Sequence, residues 1–176
     1  MNSCCSFPVE RIACNEHLQN GECCLVTDKT EAPAKAECPV SRNVSKKVQF
    51  RTVRSLVRAD RRWQLENVQY YYCEDTSCPV VYFPLDGGAY FSIGDLDVKV
   101  FAKDKGDDVP VCYCFEWTRG RIRTEIEEVG KSTAAIEIAR QVKAGLCACD
   151  VKNPKGTCCL GEVNAVVKEE IQNRIS

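Results

Sequence analysis

The stretch PVCYCFEWTRGRIRTEIEEVGKST, residues 110–133, decides how this chain is read. It opens with two cysteines one residue apart, Cys112 and Cys114, and then changes to a helical period. Thr118 is a good helix cap, Ile122, Ile126 and Val129 recur on one face, and Gly130 supplies a stop. Two soft ligands held one residue apart are what a metal or an iron–sulfur cluster needs, whereas an apolar core gains nothing from thiols in pairs. Downstream, Ser132 is expected to cap a second helix with Ile136, Ile138, Ala139 and Val142 as its apolar set and Gly145 as its stop. Cys147-Ala148-Cys149 follows, then a loop with Asn153, Pro154 and Gly156. Cys158-Cys159 then opens a third helix, from about Leu160 to Ile171, with Val163, Val166, Val167 and Ile171 on one side. Helix N-termini offer free N–H groups and a positive dipole end, which suit an anionic thiolate cluster. Four thiolates complete a [2Fe–2S] or a [4Fe–4S] cluster.

Upstream the pattern is that of strands. From Lys46 to Val109, KVQFRTV and DLDVKVF alternate, while NVQYYY and PVVYF are runs of strand formers. DTSCP and LDGGAY supply turns between them. A three- or four-stranded antiparallel sheet is expected. Cys73 and Cys78 lie on one of those turns with four residues between them, a knuckle suited to tetrahedral zinc. Residues 1–37 read as an irregular extension carrying Cys4, Cys5, Cys14, Cys23 and Cys24, joined by the linker TDKTEAPAKAE. The fold class read from sequence is therefore α+β. It comprises the extension (1–37), a β-rich zinc-knuckle-like module (38–109) and a three-helix module (110–176).

Fourteen cysteines in 176 residues, with one histidine and one methionine, fit either a disulfide scaffold or a metalloprotein. The start MNSCCSFPVERIAC has neither the basic nor the apolar segment of a signal peptide. A reducing cytoplasm is the expected location, and there close-spaced thiols bind metal rather than pair. No run approaches the ~20 apolar residues that cross a bilayer, so membrane insertion is not expected. A formal net charge of −1 gives no case for nucleic acid. Arg51, Arg54, Arg58, Arg61 and Arg62 cluster locally, as the solvated face of a short helix or as a dock for an acidic partner. A single histidine permits no Ser/His/Asp set, phosphate-cradling glycine loops are absent, and an enzyme is not expected. Glu125, Glu127, Glu128 and Glu137 read as solvated helix faces.

Three segments, YYYCEDTSCPVVYF, PVCYCF and NPKGTCCLG, together resemble a known arrangement. The helical half is similar to the bacterioferritin-associated ferredoxin family. From about Cys38 to the C-terminus, the chain resembles more closely the N-terminal domain of CopZ-type copper chaperones, which join such a [2Fe–2S] module to a zinc-binding β module. The resemblance implies Cys112, Cys114, Cys149 and Cys159 as cluster ligands, which leaves Cys147 and Cys158 as spare thiols, read as small buried hydrophobes. It also pairs the Cys73/Cys78 knuckle with a C-P-x-C knuckle, which here reads Cys38-Pro39-Val40-Ser41. A neutral hydroxyl is a poor zinc ligand beside thiolates. Cys24 completes the zinc site, or His17 does, or the site is degenerate and empty.

Two functions follow. One is a [2Fe–2S] protein of metal homeostasis that binds copper or another soft metal and delivers or reduces it, with a metal transporter or redox protein as partner. The extension's thiols are then candidates for Cu(I) or Hg(II) by ligand softness, against a tail that binds nothing specific or a vicinal redox pair. The M-x-C-x-x-C copper loop carried by the chaperones is not found in this sequence, where Met1 is the one methionine. The other function is a stand-alone electron-transfer module or redox sensor.

Overall fold

A computed structural model of the protein describes residues 31–85 and 87–175. Five strands form an antiparallel meander in which each pairs with its neighbours in sequence. They are β1 (Lys35–Glu37), β2 (Val44–Val48), β3 (Tyr70–Tyr72), β4 (Val80–Pro84) and β5 (Phe91–Ser92). The register sets Lys46 opposite Tyr72, Tyr71 opposite Phe83, and Tyr82 opposite Phe91. β3 and β4 are buried along their whole length, and this is why they read as continuous apolar runs rather than alternating ones. On one face Tyr70, Tyr72 and Tyr82 join Val53, Leu56 and Val57 in a core; on the other Tyr71 stacks on Phe83, ring centroids 5.6 Å apart, beside Cys38, Cys73 and Cys78.

The sheet has more strands than the sequence predicts. Residues 35–37, read as linker, form its edge because Ala36 packs on the thiol cluster and the Tyr71 hydroxyl donates to Pro33 O at 2.7 Å. The expected strand over KVQFRTV stops at Val48, and helix α1 (Phe50–Leu56) follows. Val53 and Leu56, three residues apart, are both buried, so the helical period wins over the alternation that precedes it. The expected strand over DLDVKVF does not form. Its backbone donors go elsewhere: Leu96 N to Ile93 O at 3.4 Å, Asp97 N to Leu56 O at 2.9 Å, and Val100 N to the Asp104 carboxylate at 2.6 Å. The arginine run lies on α1 and the 3-10 helix Ala59–Gln64, with Arg51, Arg58, Arg61 and Arg62 in ion pairs to Asp150, Asp60, Asp95 and Asp97.

The second half opens with a small hairpin, β6 (Pro110–Cys112) and β7 (Trp117–Thr118). α2 (Arg119–Val129) starts on the Thr118 hydroxyl, which accepts from Arg121 N at 3.1 Å, and ends on left-handed Gly130. Both caps are those expected from sequence. α3 (Ala134–Lys143) begins one residue later than its predicted cap allows, and its start is held by Glu125. That carboxylate accepts from the Ser132 hydroxyl at 2.6 Å, from the Thr133 hydroxyl at 2.7 Å and from Thr133 N at 2.9 Å. Glu125 therefore ties two helices together instead of lying on a solvated face. The core-facing line of α3 is Ala134, Ile138 and the half-buried Val142, at i, i+4 and i+8, while Ile136 is 74% exposed and Ala139 is exposed. A short α4 (Cys149–Lys152) precedes α5 (Leu160–Ile175), whose Val163, Val166, Val167 and Ile171 face α2 and α3 in a core with Trp117, Ile122 and Ile126.

Two hydrogen bonds fasten the sheet half to the loop around α4. The Thr52 hydroxyl donates to Asp150 O at 2.6 Å, and the Tyr82 hydroxyl donates to Pro154 O at 2.8 Å in a buried position. Gly156, at φ +68°, lets this loop approach, since a Cβ there would stand 3.0 Å from the Thr52 hydroxyl. Tyr82→Phe keeps the ring but strands the Pro154 carbonyl. It is expected to cost about 1–3 kcal/mol in denaturant unfolding, and an unchanged midpoint would contradict this docking.

Candidate metal centre

Seven of the nine described cysteines fall into two sulfur groups, one on each half of the fold. The first is built on two tight turns of the sheet. Cys38 follows β1, in a turn closed by Arg42 N donating to Cys38 O and Cys38 N donating to Asn43 O, both 2.9 Å. Cys73 follows β3, and Cys78 precedes β4 on a turn where the Asp75 carboxylate accepts from Ser77 N at 2.9 Å. Asn43 Nδ2 donates to Asp75 at 2.7 Å and joins the turns. The Sγ atoms of Cys38, Cys73 and Cys78 all lie within 4.8 Å of one another and all three residues are buried.

The spacing matches what one ion requires. Two sulfurs each ~2.3 Å from a tetrahedral ion are ~3.8 Å apart, and a sulfur and an oxygen are roughly 3.5 Å apart. Cys38 Sγ and Cys78 Sγ are separated by 3.9 Å, and Ser41 Oγ is 3.5 Å from Cys73 Sγ. Burial pushes the Cys38 thiol up, but hydrogen bonds from Ser41 N, the Ser41 hydroxyl and Val40 N outweigh it and leave that thiol lowered. Burial dominates at Cys73 and raises it, opposed by the Ser41 hydroxyl, Asp75 N and the Lys103 charge. Lys103 is only 8% exposed. Its ammonium donates to Asp75 O and Cys78 O, so a buried positive charge sits on the loop that carries two of the thiols. No pattern in the sequence marks Lys103 out from the lysines around it.

The second group gathers at the β6–β7 hairpin, the start of α4 and the start of α5. Cys114 Sγ is 3.6 Å from Cys149 Sγ and accepts from Ala148 N at 3.3 Å. Cys112, buried, hydrogen-bonds to Cys159 and receives the backbone N–H groups of Phe115 and Cys114. The Cys159 bond lowers the Cys112 thiol to about 6 despite its burial. The same bond, with burial, raises Cys159, while burial and the Cys114 contact raise Cys149. These two pairs lie within electrostatic reach of each other through Cys149 and Cys159. They do not converge on one point: among the described residues, only Cys38, Cys73 and Cys78 have three ligand atoms mutually within 4.8 Å.

Cys147 and Cys158 are not the buried hydrophobes read from the sequence. Cys147 is half-buried in the loop before α4, and Cys158 is exposed on the approach to α5. Cys159 is buried where its neighbour Cys158 is exposed, and Cys149, half-buried like Cys147, is the one in contact with Cys114. Cys24 and His17, the sequence candidates for a fourth zinc ligand, lie outside the described residues, as do Cys4, Cys5, Cys14 and Cys23.

A family model described as a zinc binding domain, of CopZ type, matches residues 35–97, which include Cys38, Cys73 and Cys78. The X-ray structure of the Archaeoglobus fulgidus CopZ N-terminal domain aligns with a TM-score of 0.62 and 30% identity, over 74% of this chain and 97% of that one. The chain carries a CopZ-type N-terminal domain. The structural likeness covers far more of the chain than residues 35–97, so the CopZ-type likeness reaches into the helical half. The copper chaperone CopZ of Archaeoglobus fulgidus is 35% identical over 97 residues, 55% of this chain and 45% of the relative. The match thus spans less than half of that protein's length. Among the described residues, no helix of this CopZ-type chain is long and apolar enough to cross a membrane.

Solvent access ranks the thiols of this domain. In the reduced, metal-free protein, Cys158 is expected to react with iodoacetamide well before Cys38, Cys73 and Cys159, as read by peptide mass spectrometry. Labelling of Cys159 ahead of Cys158 would contradict the placement.

Proposed function

We propose that this chain is a soft-metal protein of metal homeostasis, with zinc held by Cys38, Cys73 and Cys78 and a [2Fe–2S] cluster held by Cys112, Cys114, Cys149 and Cys159. In this reading residues 38–109 serve as the zinc module and residues 110–176 as the cluster module. The observation that carries it is the gathering of the four thiols at the hairpin and the two helix starts, with Cys114 Sγ 3.6 Å from Cys149 Sγ and the buried Cys112 and Cys159 acting on each other's ionisation. One tetrahedral ion would draw all four sulfurs together, and a four-iron cube gives each cysteine its own iron. A two-iron cluster takes its ligands two by two. The donor set also fits, since thiolates are the ligands these clusters use.

When bound, such a cluster supplies a one-electron centre. The chain's own contribution is to hold the thiolates and to aim N–H groups at them: Ala148 N at Cys114, Phe115 N and Cys114 N at Cys112. Hydrogen bonds to sulfur stabilise the more negative, reduced state and raise a potential. Cys112 and Cys159 are buried, while Cys114 and Cys149 are half-exposed, so one side of the group is open to a redox partner. That asymmetry also favours the second reading, a ferredoxin-like module or redox sensor. Copper or a similar soft ion is the proposed cargo, as the relative's name suggests, taken by the paired thiols of residues 1–30 and passed to a transporter or other acceptor in the cytoplasm. No enzymatic activity is proposed.

Protein purified without oxygen is expected to contain about two iron and two sulfide per chain, with a sulfur-to-iron visible spectrum. Cys112→Ser and Cys159→Ser should lose the iron and keep the zinc, and Cys73→Ser should do the reverse. Absence of iron from the anaerobic wild type would refute the cluster.

A further inference from the structure

The zinc site proposed above departs from a closed four-thiolate site at one residue. Ser41 takes the place in its knuckle where the paired turn would carry a fourth cysteine, and its Oγ is 3.5 Å from Cys73 Sγ, the separation roughly expected for an oxygen and a sulfur on one ion. Its hydroxyl also accepts from Asn43 N at 3.4 Å, which holds it on the turn. A hydroxyl from within the turn thus stands beside the thiol group as a candidate for the fourth vertex. We infer that Cys38, Cys73 and Cys78 form an exchangeable zinc site, in which the neutral Ser41 hydroxyl is a displaceable fourth ligand where an incoming thiolate enters.

Charge favours three thiolates over four. Three thiolates and a divalent ion carry one net negative charge, and the buried Lys103 ammonium on the Asp75 and Cys78 carbonyls cancels it. A resident fourth thiolate, from Cys24 or elsewhere, would leave one negative charge without a buried partner, so four-thiolate coordination is favoured only as the passing state of exchange. A monovalent ion would leave the same excess, so the balance selects a divalent one. The hydrogen bond from Asn43 Nδ2 to the Asp75 carboxylate joins the two thiol turns.

An open or weakly held position separates zinc sites that exchange ligands from those that only brace a fold. Here the entering thiolate of an acceptor forms a Zn–S bond as the neutral Ser41 hydroxyl departs. Zinc keeps its charge throughout, no electrons move, and each cysteine released in turn takes a proton from water. The acceptor is thus a protein or small molecule offering thiolates.

This inference rests on zinc occupying the three-thiol site, and one experiment separates the two. The full chain, loaded with zinc under anaerobic conditions, is challenged with excess dithiothreitol, and zinc release is followed with a chromogenic chelator. Ser41→Cys should slow release about tenfold or more, and Ser41→Ala should leave it as fast as wild type, because a cysteine closes the vertex and an alanine does not. Cys24→Ser should release at the wild-type rate. Equal rates for wild type and Ser41→Cys, or a tenfold faster release from Cys24→Ser, would overturn the inference. Zinc content unchanged in Cys73→Ser would overturn the site itself. Loading Cd(II) gives a second readout: the 113Cd resonance of wild type should move downfield in Ser41→Cys as a sulfur replaces an oxygen, and identical spectra would count against Ser41 as a ligand.

Discussion

Two hydrogen bonds from the sheet half to two carbonyls beside α4 hold the rest of this structure in place. Thr52 on α1 and Tyr82 on β4 donate to Asp150 O and Pro154 O, and both acceptors belong to the segment that starts with Cys149 and ends just before Cys159. The cysteine-bearing loop has little regular structure of its own. Its position is set from outside by the sheet, by the close approach at Gly156, and by Asn153 accepting from Lys155 N and donating to Thr157 O. On its far side the hairpin brings Cys112 and Cys114 to the same place. Neither half arranges the four thiols alone. A change far from any sulfur, at Thr52 or Tyr82, therefore acts on the proposed cluster site.

The two sulfur groups obey the same local rule with different outcomes. In each, a short turn after a strand directs backbone N–H groups at a sulfur: Val40 and Ser41 at Cys38, Asp75 at Cys73, Cys114 and Phe115 at Cys112. Such donors favour the thiolate, the form that binds metal. What differs is convergence. The sheet turns bring three sulfurs within 4.8 Å of one another, with the Ser41 hydroxyl beside Cys73, whereas at the hairpin and helix starts Cys114 and Cys149 stand 3.6 Å apart and no three of the described sulfurs close in this way. A single ion suits the first and a two-metal unit the second.

Much of the fold was legible because local signals agreed with it. Thr118 and Gly130 bracket α2, YYY and VVYFP are strands, and the valines of α5 keep their helical spacing. What the sequence concealed depended on partners distant along the chain. KVQFRTV alternates like a strand, yet Val53 and Leu56 find a core only as a helix. DLDVKVF has strand spacing, but Asp97 N goes to Leu56 O and Val100 N to the Asp104 carboxylate, donors that pairing would need. The two cysteine doublets could be ranked only by a resemblance, since which sulfur turns inward depends on how the loop docks. Ser41 read as a defect in a motif; in the folded chain its hydroxyl stands 3.5 Å from Cys73 Sγ, at the edge of the thiol group.

The central claim is that one chain holds two unlike sulfur sites, one for a lone ion and one for a metal pair. X-ray absorption at the zinc and iron edges of a single anaerobic sample tests it most directly. The account predicts zinc with three sulfur neighbours and one oxygen, and iron with sulfur neighbours and a second iron close by. Four sulfurs around zinc, or iron with no iron neighbour, would contradict it.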